Sequence, residues 1–267
     1  VKISGFSFVK NAVKLYYPVE ESIRSILPIC DEFIIAVGRG EDNTREVIEK
    51  IGDPKIRIID TEWENVETVR QLILSQQTNV ALAECTGDWC FYVQADEVVH
   101  ENDLPKIRRR CEQHLDDPRV EGLLFDYLHF WGDYNHYHKS HGWYPREIRI
   151  VKNNIGVQSV RDAQSFRLAS GKKLAVAPAD ARIFHYGWVR PPDLMQVKRK
   201  AFSSVYFGRK KIDEQFKNEP VALDFVPLNK LTFFETGNHP AVMKDMIARL
   251  NWDDQLRDVD PPGMVRE

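Results

Sequence analysis

Residues 91–100 read FYVQADEVVH, and the residues Trp89 to Val93 form an apolar run that predicts a buried strand. It runs straight into Gln94, Ala95, Asp96 and Glu97. Two adjacent acids at a strand end are costly unless water, a cation or a partner meets them. The order of elements before this point decides what could meet Asp96.

Working back from Trp89, Gly87 closes a helical pattern predicted from Val66 to about Ala83, with Val69, Leu72, Ile73, Val80 and Ala83 mostly on one side. Strands are predicted over Lys2–Phe8, Phe33–Val37 and Ile56–Ile59. Pro18 opens a helix with an apolar stripe of Val19, Ile23, Ile26 and Leu27. Asn43 and Glu46 form a capping-box pattern for the next helix, which Gly52 ends. Such strictly alternating strands and helices predict a parallel sheet with right-handed crossovers and helices on both faces. Ligands bind such sheets beyond the carboxyl ends of the strands. Ser7–Asn11, Gly38–Thr44 and Gln94–Glu97 are therefore expected on one rim.

After residue 100 the alternation weakens. A charged helix is predicted from Leu104 to Leu115, with strands over Gly122–Phe130, Glu147–Lys152 and Ala181–His185. An aromatic, histidine-rich loop, HFWGDYNHYHKSHGWYP (129–145), lies between the first two of these strands. A helix from about Pro192 to Gly208 and a last amphipathic helix carrying Val242, Met243, Met246, Ile247 and Leu250 follow.

Bulk composition narrows the class. With 43% hydrophobic and 29% charged residues, disorder is excluded, and a net charge of -3 gives no reason to expect nucleic acid as a partner. Cys30, Cys85, Cys90 and Cys111 make no C-x-x-C pair and read as reduced thiols of a cytoplasmic protein. No leader pattern precedes the first strand and no run approaches a membrane span, so a soluble chain is expected. The histidines 129, 136, 138 and 141 match no compact zinc spacing. The basic runs KIRRR (106–110) and GRKK (208–211) read as solvated helix faces, with a peripheral contact to anionic lipid as the second reading.

The first strand is followed by SFVKNAV, not by G-x-G-x-x-G, and no G-x-x-x-x-G-K-[ST] occurs. A hard cation on a carboxylate could hold phosphates instead, and Asp96 is placed for it. At this point VALAECTGDWCFYVQADEVVHEND (80–103) resembles the family-2 glycosyltransferases of the GT-A fold, in which a helix, a Gly-Asp-Trp turn and a strand lead into a D-x-D motif. The stretch FVKNAVKLYYPVEESIRSILPICDEFIIAVGRGEDNTREVIEK is similar to the family's nucleotide-binding half. REIRIVKNNIGVQSVRDA and ARIFHYGWVR are similar to its acceptor-side strand and turn and to a later strand carrying a histidine.

The resemblance implies an α/β, GT-A-type mostly parallel sheet over residues 1–190, with a nucleotide-sugar half (1–100) and an acceptor half (101–190), and a helical extension over 191–267. It implies a sugar passing from a nucleotide-diphosphate donor to a glycan or lipid-linked hydroxyl acceptor, with inversion, in polysaccharide biosynthesis. Asp96 then matches the motif acid that ligates a divalent cation, Mn²⁺ or Mg²⁺, and Gln94 stands where the motif's first acid contacts donor ribose or metal. Glu97 is expected to point away from the site. Asp42 and Arg70 match donor-side positions, and Gly38 replaces an acid that often holds the base. His185 matches a histidine of the metal shell, and Asp162 the general base. Trp143, Tyr144 and Arg149 are expected to flank the acceptor. A nucleotidyltransferase and a catalytically degenerate binding protein of the same fold stay open as alternatives.

Overall fold

A computed structural model describes residues 1–63, 72–138, 143–207 and 231–252, with the side chains of 199 and 201–207 left aside. Four strands build the parallel core: β1 (Ile3–Val9), β2 (Glu32–Gly38), β3 (Ile56–Thr61) and β4 (Trp89–Tyr92), in the spatial order β3-β2-β1-β4. The order reverses between β2 and β4 on either side of β1, which opens a crevice at the carboxyl ends of β1 and β4.

Side-chain alternation shows why these strands lie in the middle of a two-faced sheet. Phe33, Ile35, Trp89 and Phe91 pack on one face with Ile23 and Ile26 of α1 (Val19–Ile26), Ile48 of α2 (Thr44–Glu49) and Ile107 of α4 (Leu104–Gln113). Ile34, Ala36, Cys90 and Tyr92 pack on the other face with Ala81 of α3 (Ile73–Ala83) and with Phe166. Runs that are apolar at every position are what burial on both faces demands. All four cysteines are buried free thiols in these layers.

The short strand β5 (Glu97–Val99) leaves β4 and pairs antiparallel with β11 (Val176–Val189). β6 (Gly122–Gly132) runs parallel to β11 on one side; on the other it pairs antiparallel with β8 (Arg146–Lys152) and then with β7 (His136–His138). β8 joins this half to β4, and β12 (Thr232–Phe233) adds to β7. A hairpin of β9 (Val157–Val160) and β10 (Ser165–Leu168) stands outside the sheet against α3. The helix α5 (Pro192–Phe207) follows β11, and a 3-10 turn over Ala241–Met243 leads into α6 (Lys244–Ala248).

The described part of α3 buries Ser75, Gln77, Thr78 and Ala81, while Leu72 and Val80 of the expected stripe are exposed. Polar ties explain this face: Thr78 back-bonds Leu74, and Asn79 holds both backbone groups of Ser159 in β9. The Asn43 side chain makes no cap on α2; Asp42 does so instead, accepting from the Thr44 N–H at 3.1 Å and its hydroxyl at 2.6 Å. On α4, Lys106, Arg108 and Arg110 of the basic run pair with Asp103, Glu112 and Asp180. Exposed pairs of this kind contribute little to stability. Residues 208–211 lie outside the described residues. No helix among the described residues is long and apolar enough to cross a membrane.

A third cluster joins Phe130, Phe184 and Tyr186 to Met243, Met246 and Trp252. His239 sits inside it, bonded through Nε2 to the Tyr134 carbonyl and through Nδ1 to the Tyr186 hydroxyl, both at 2.7 Å. Burial lowers the pKa of His239 to about 4, against ~6.5 in an unfolded chain. Between those values the unfolded state binds more protons, so stability rises with pH across the window and is lost as pH falls from about 6.5 to 4. The expected contribution is ~3 kcal/mol above pH 7. Urea unfolding from pH 4 to 7 should show a slope that shrinks by about one proton in His239→Gln; an unchanged slope would assign the titration elsewhere.

Candidate active site

The crevice at the carboxyl end of β4 is centred on Asp96, which is 8% exposed. Its carbonyl accepts the Tyr186 N–H at 2.8 Å, which pins the β4–β5 turn to β11. Its Oδ2 lies 3.5 Å from Lys198 Nζ and 3.7 Å from His185 Nε2. Lys198 arrives from α5, and Arg190 from the end of β11. Both donate to the Gly187 carbonyl, and Arg190 also to that of Leu15. The Tyr17 ring lies under both cations, 4.9 Å from Lys198 Nζ and 5.0 Å from the Arg190 guanidinium carbon.

Burial on its own would raise the Asp96 pKa. The charge of His185, when its ring is protonated, and those of Lys198 and Arg190 outweigh it and hold the carboxyl well below the usual range. Burial and the neighbouring Arg190 pull Lys198 down to about 7, with Asp96 opposing. Two buried cations therefore face one carboxylate, which leaves the crevice electropositive and suited to an anion.

The hydrogen bonds place one ring proton of His185. His129 Nε2 lies 2.8 Å from the Tyr144 carbonyl, which can only accept, so that nitrogen carries a proton. Burial lowers the His129 pKa to about 3, so the ring is neutral and its Nδ1 is an acceptor. His185 Nδ1, 3.0 Å away, must donate to it. His185 Nε2 is left facing Asp96.

Those two atoms fit a divalent cation. Their 3.7 Å separation is one that two ligands at ~2.1 Å can share. The space between them is open only because residue 187 is glycine: a Cβ there would lie 2.5 Å from His185 Nε2 and 2.7 Å from Asp96 Oδ2. The remaining ligands would come from phosphate and water, as hard cations accept. Gly187→Ala is accordingly expected to fold, since only side-chain ends must shift, while Mn²⁺ affinity falls by about tenfold or more. Electron paramagnetic resonance of free Mn²⁺ in a titration reads this, and unchanged affinity would remove the cation from this cradle.

The other acid, Glu97, points into the core. It is fully buried and takes a bidentate pair from Arg149 at 2.7 and 2.8 Å, the Tyr127 hydroxyl at 2.8 Å and the Gln94 N–H at 3.1 Å. Arg149 is thereby corrected: expected beside the acceptor, it is wholly buried between the Tyr92 and Tyr127 rings, and it also donates to the carbonyls of Ile148 and Gln164. Asp42 also has internal work, for its Oδ2 accepts the Lys14 N–H at 2.7 Å while its Oδ1 caps α2. It staples the β1 and β2 loops to each other. Gly38 lacks an acid for a steric reason, since a Cβ there would run into the Trp63 indole. Arg70 lies outside the described residues.

Trp143 and Tyr144 pack around His129. Tyr144 packs edge-on to His129 at 4.7 Å, and Trp143 stands 5.1 Å from His129, 5.3 Å from His138 and 5.9 Å from Trp188. The loop histidines separate: His136 pairs with Asp133, His138 stacks on Trp143, and His141 lies outside the described residues. Among the described residues there is no group of three or more His, Cys, Asp or Glu able to hold a metal. Asp162 is half-buried in the turn after β9, between Arg161 and Ala163, which both have left-handed backbone (φ 57° and 62°). Ala163 touches the donor strand directly, its carbonyl accepting from Gln94 Nε2 at 3.2 Å.

Sequence reasoning missed Lys198, Arg190, Tyr17 and His129. Arg190 ends the quoted stretch ARIFHYGWVR, so a cation after the histidine strand was visible; Lys198, two helical turns into a segment without motifs, gave no signal.

The model of the family described as "Glycosyl transferase family 2" matches residues 16–168, more than half of the chain. The protein belongs to glycosyl transferase family 2. The matched span carries Gln94, Asp96 and Asp162 and ends before His185, Arg190 and Lys198. Among solved structures, this family-2 chain is similar to S. aureus TarS 1-349 (13% identity, 81% of this chain and 73% of that one, TM-score 0.40). It is also similar to the mannosyltransferase PcManGT from Pyrobaculum calidifontis in complex with GDP-Man and Mn²⁺ (13% identity, 82% and 66%, TM-score 0.44). TarS 1-349 in complex with UDP gives 18% identity over 49% of this chain and 36% of that one, with a TM-score of 0.35. The chain covers 36% of TarS 1-349 in complex with UDP and 42% of a further S. aureus TarS structure, less than half of each. No curated protein matches it.

Proposed function

We propose that this family-2 protein is a glycosyltransferase that takes a sugar from a nucleotide-diphosphate donor and passes it, with inversion, to a hydroxyl of a glycan or lipid-linked acceptor in polysaccharide assembly. The observation that carries the reading is the Asp96 crevice: one carboxylate and two buried cations at the switch point of a parallel sheet. A nucleotide lies naturally over β1 and β2 there, with its diphosphate reaching Lys198 and Arg190. Asp96 and His185 would hold a divalent cation, which when bound neutralises charge on the departing diphosphate.

The chain's own residues do the rest. Lys198 and Arg190 are fixed by the Gly187 carbonyl and the Tyr17 ring, so they stabilise negative charge without reorganising. Trp143 and Tyr144 offer aromatic faces to the acceptor sugar. Asp162 takes the acceptor hydroxyl's proton as that oxygen attacks the anomeric carbon and the diphosphate leaves with its electron pair. The test is turnover of a panel of nucleotide sugars with glycan acceptors, read as nucleoside diphosphate release. Release from donors of one base class is expected, and release from none, by transfer or hydrolysis, would overturn the reading in favour of a binding protein.

A further inference from the structure

We propose that Gln94 is a positioning residue that clamps the acceptor-side turn to the donor strand, and that position 94 is an amide because a carboxylate could not do this.

Gln94 is held at both backbone ends: its N–H goes to Glu97 Oε2 and its carbonyl accepts the Ser22 hydroxyl at 2.8 Å. Its side chain is aimed across the crevice at the Ala163 carbonyl. A carbonyl oxygen only accepts, so the group opposite must donate. Glutamate or aspartate at position 94 would set lone pairs against lone pairs.

The turn needs such bonds. Left-handed backbone at a residue with a Cβ costs ~1 kcal/mol or more, and Arg161 and Ala163 both adopt it. Anchors come from three sides: Asn79 of α3 on Ser159, Arg149 of β8 on the Gln164 carbonyl at 2.8 Å, and Gln94 on Ala163. Of these, only Gln94 lies on the strand end that also carries Asp96. Arg149 reaches the same strand end through Glu97, so Gln94 and Arg149 together set the distance from Asp96 to Asp162, Gln94 by the direct bond. The catalytic consequence rests on Asp162 being the base; the clamp itself does not.

Gln94→Glu separates this role from the alternative that Gln94 is a lapsed first acid of a D-x-D motif, because the two demand opposite results. Gln94→Met, neutral and of similar length, controls for the added charge. For the clamp, amide hydrogen exchange at 161–164 should quicken by about fivefold in both variants without metal or substrate. Turnover should fall about 10- to 100-fold with donor affinity within about twofold of wild type. A gain in Mn²⁺ or donor affinity in Gln94→Glu, or unaltered exchange at 161–164 in both variants, overturns the proposal. Asp162→Asn run alongside keeps the two claims apart: full turnover there with faster exchange in the Gln94 variants retires the base and leaves the clamp standing.

Discussion

Asp96→Asn should lower turnover by a factor on the order of 10² to 10³ while the protein stays folded. The carboxamide fills the same volume, and the backbone bond from Tyr186 to the Asp96 carbonyl is untouched. What disappears is the carboxylate that, among the described residues, faces Lys198, Arg190 and His185. Lys198, already down to about 7 with that carboxylate beside it, then gives up its proton more readily. The site loses both its cation ligand and part of its positive charge, so the deficit falls on the departing diphosphate. Steady-state rates of nucleoside diphosphate release, with thermal unfolding as the fold control, measure it. Turnover within about threefold of wild type would remove Asp96 from the chemistry.

Arg149→Met should be the most destabilising single change among those considered, at about 3–5 kcal/mol. Methionine leaves Glu97 fully buried with its bidentate partner gone, and it frees the carbonyls of Ile148 and Gln164. Burial would depress the arginine pKa, but Glu97 and the surrounding tyrosines raise it well above its ordinary value, so the guanidinium stays charged. Arg149→Lys should recover little, because an ammonium cannot reproduce the fork that spans both carboxylate oxygens. Arg149→Met with Glu97→Leu should cost less than the sum of the single changes, since the pair leaves together. Urea unfolding resolves these differences. A loss below about 1 kcal/mol for Arg149→Met would mean that water reaches the pair.

The strands of the parallel core were legible because burial on both faces leaves unbroken apolar runs, as in Phe33–Val37 and Trp89–Val93. β11 was read only as Ala181–His185, although it spans Val176–Val189. Its register shifts between Pro178 and Arg182 and again between His185 and Trp188, and such irregularities break the alternation a reader counts. Asp96 was legible from what precedes it. The partners of the two acids were not: Arg149 is 52 residues from Glu97, and Lys198 is 102 from Asp96. Asp96 lies in a turn closed by the Glu97 N–H on the Gln94 carbonyl at 3.0 Å, and Glu97 opens β5, which sends Asp96 to the crevice and Glu97 inward. Which partner each meets is a tertiary fact. Gln94 shows the same limit, because in sequence it reads as a missing acid, and only the carbonyl of Ala163, 69 residues on, supplies a reason for an amide.

The most direct test of the central claim is a calorimetric titration of UDP and GDP, each with Mn²⁺ and with EDTA, into wild type and Asp96→Asn. The account predicts that at least one nucleotide binds wild type in a Mn²⁺-dependent manner and that this binding is lost in Asp96→Asn. Binding of neither nucleotide, or equal binding to both proteins in EDTA, would contradict it.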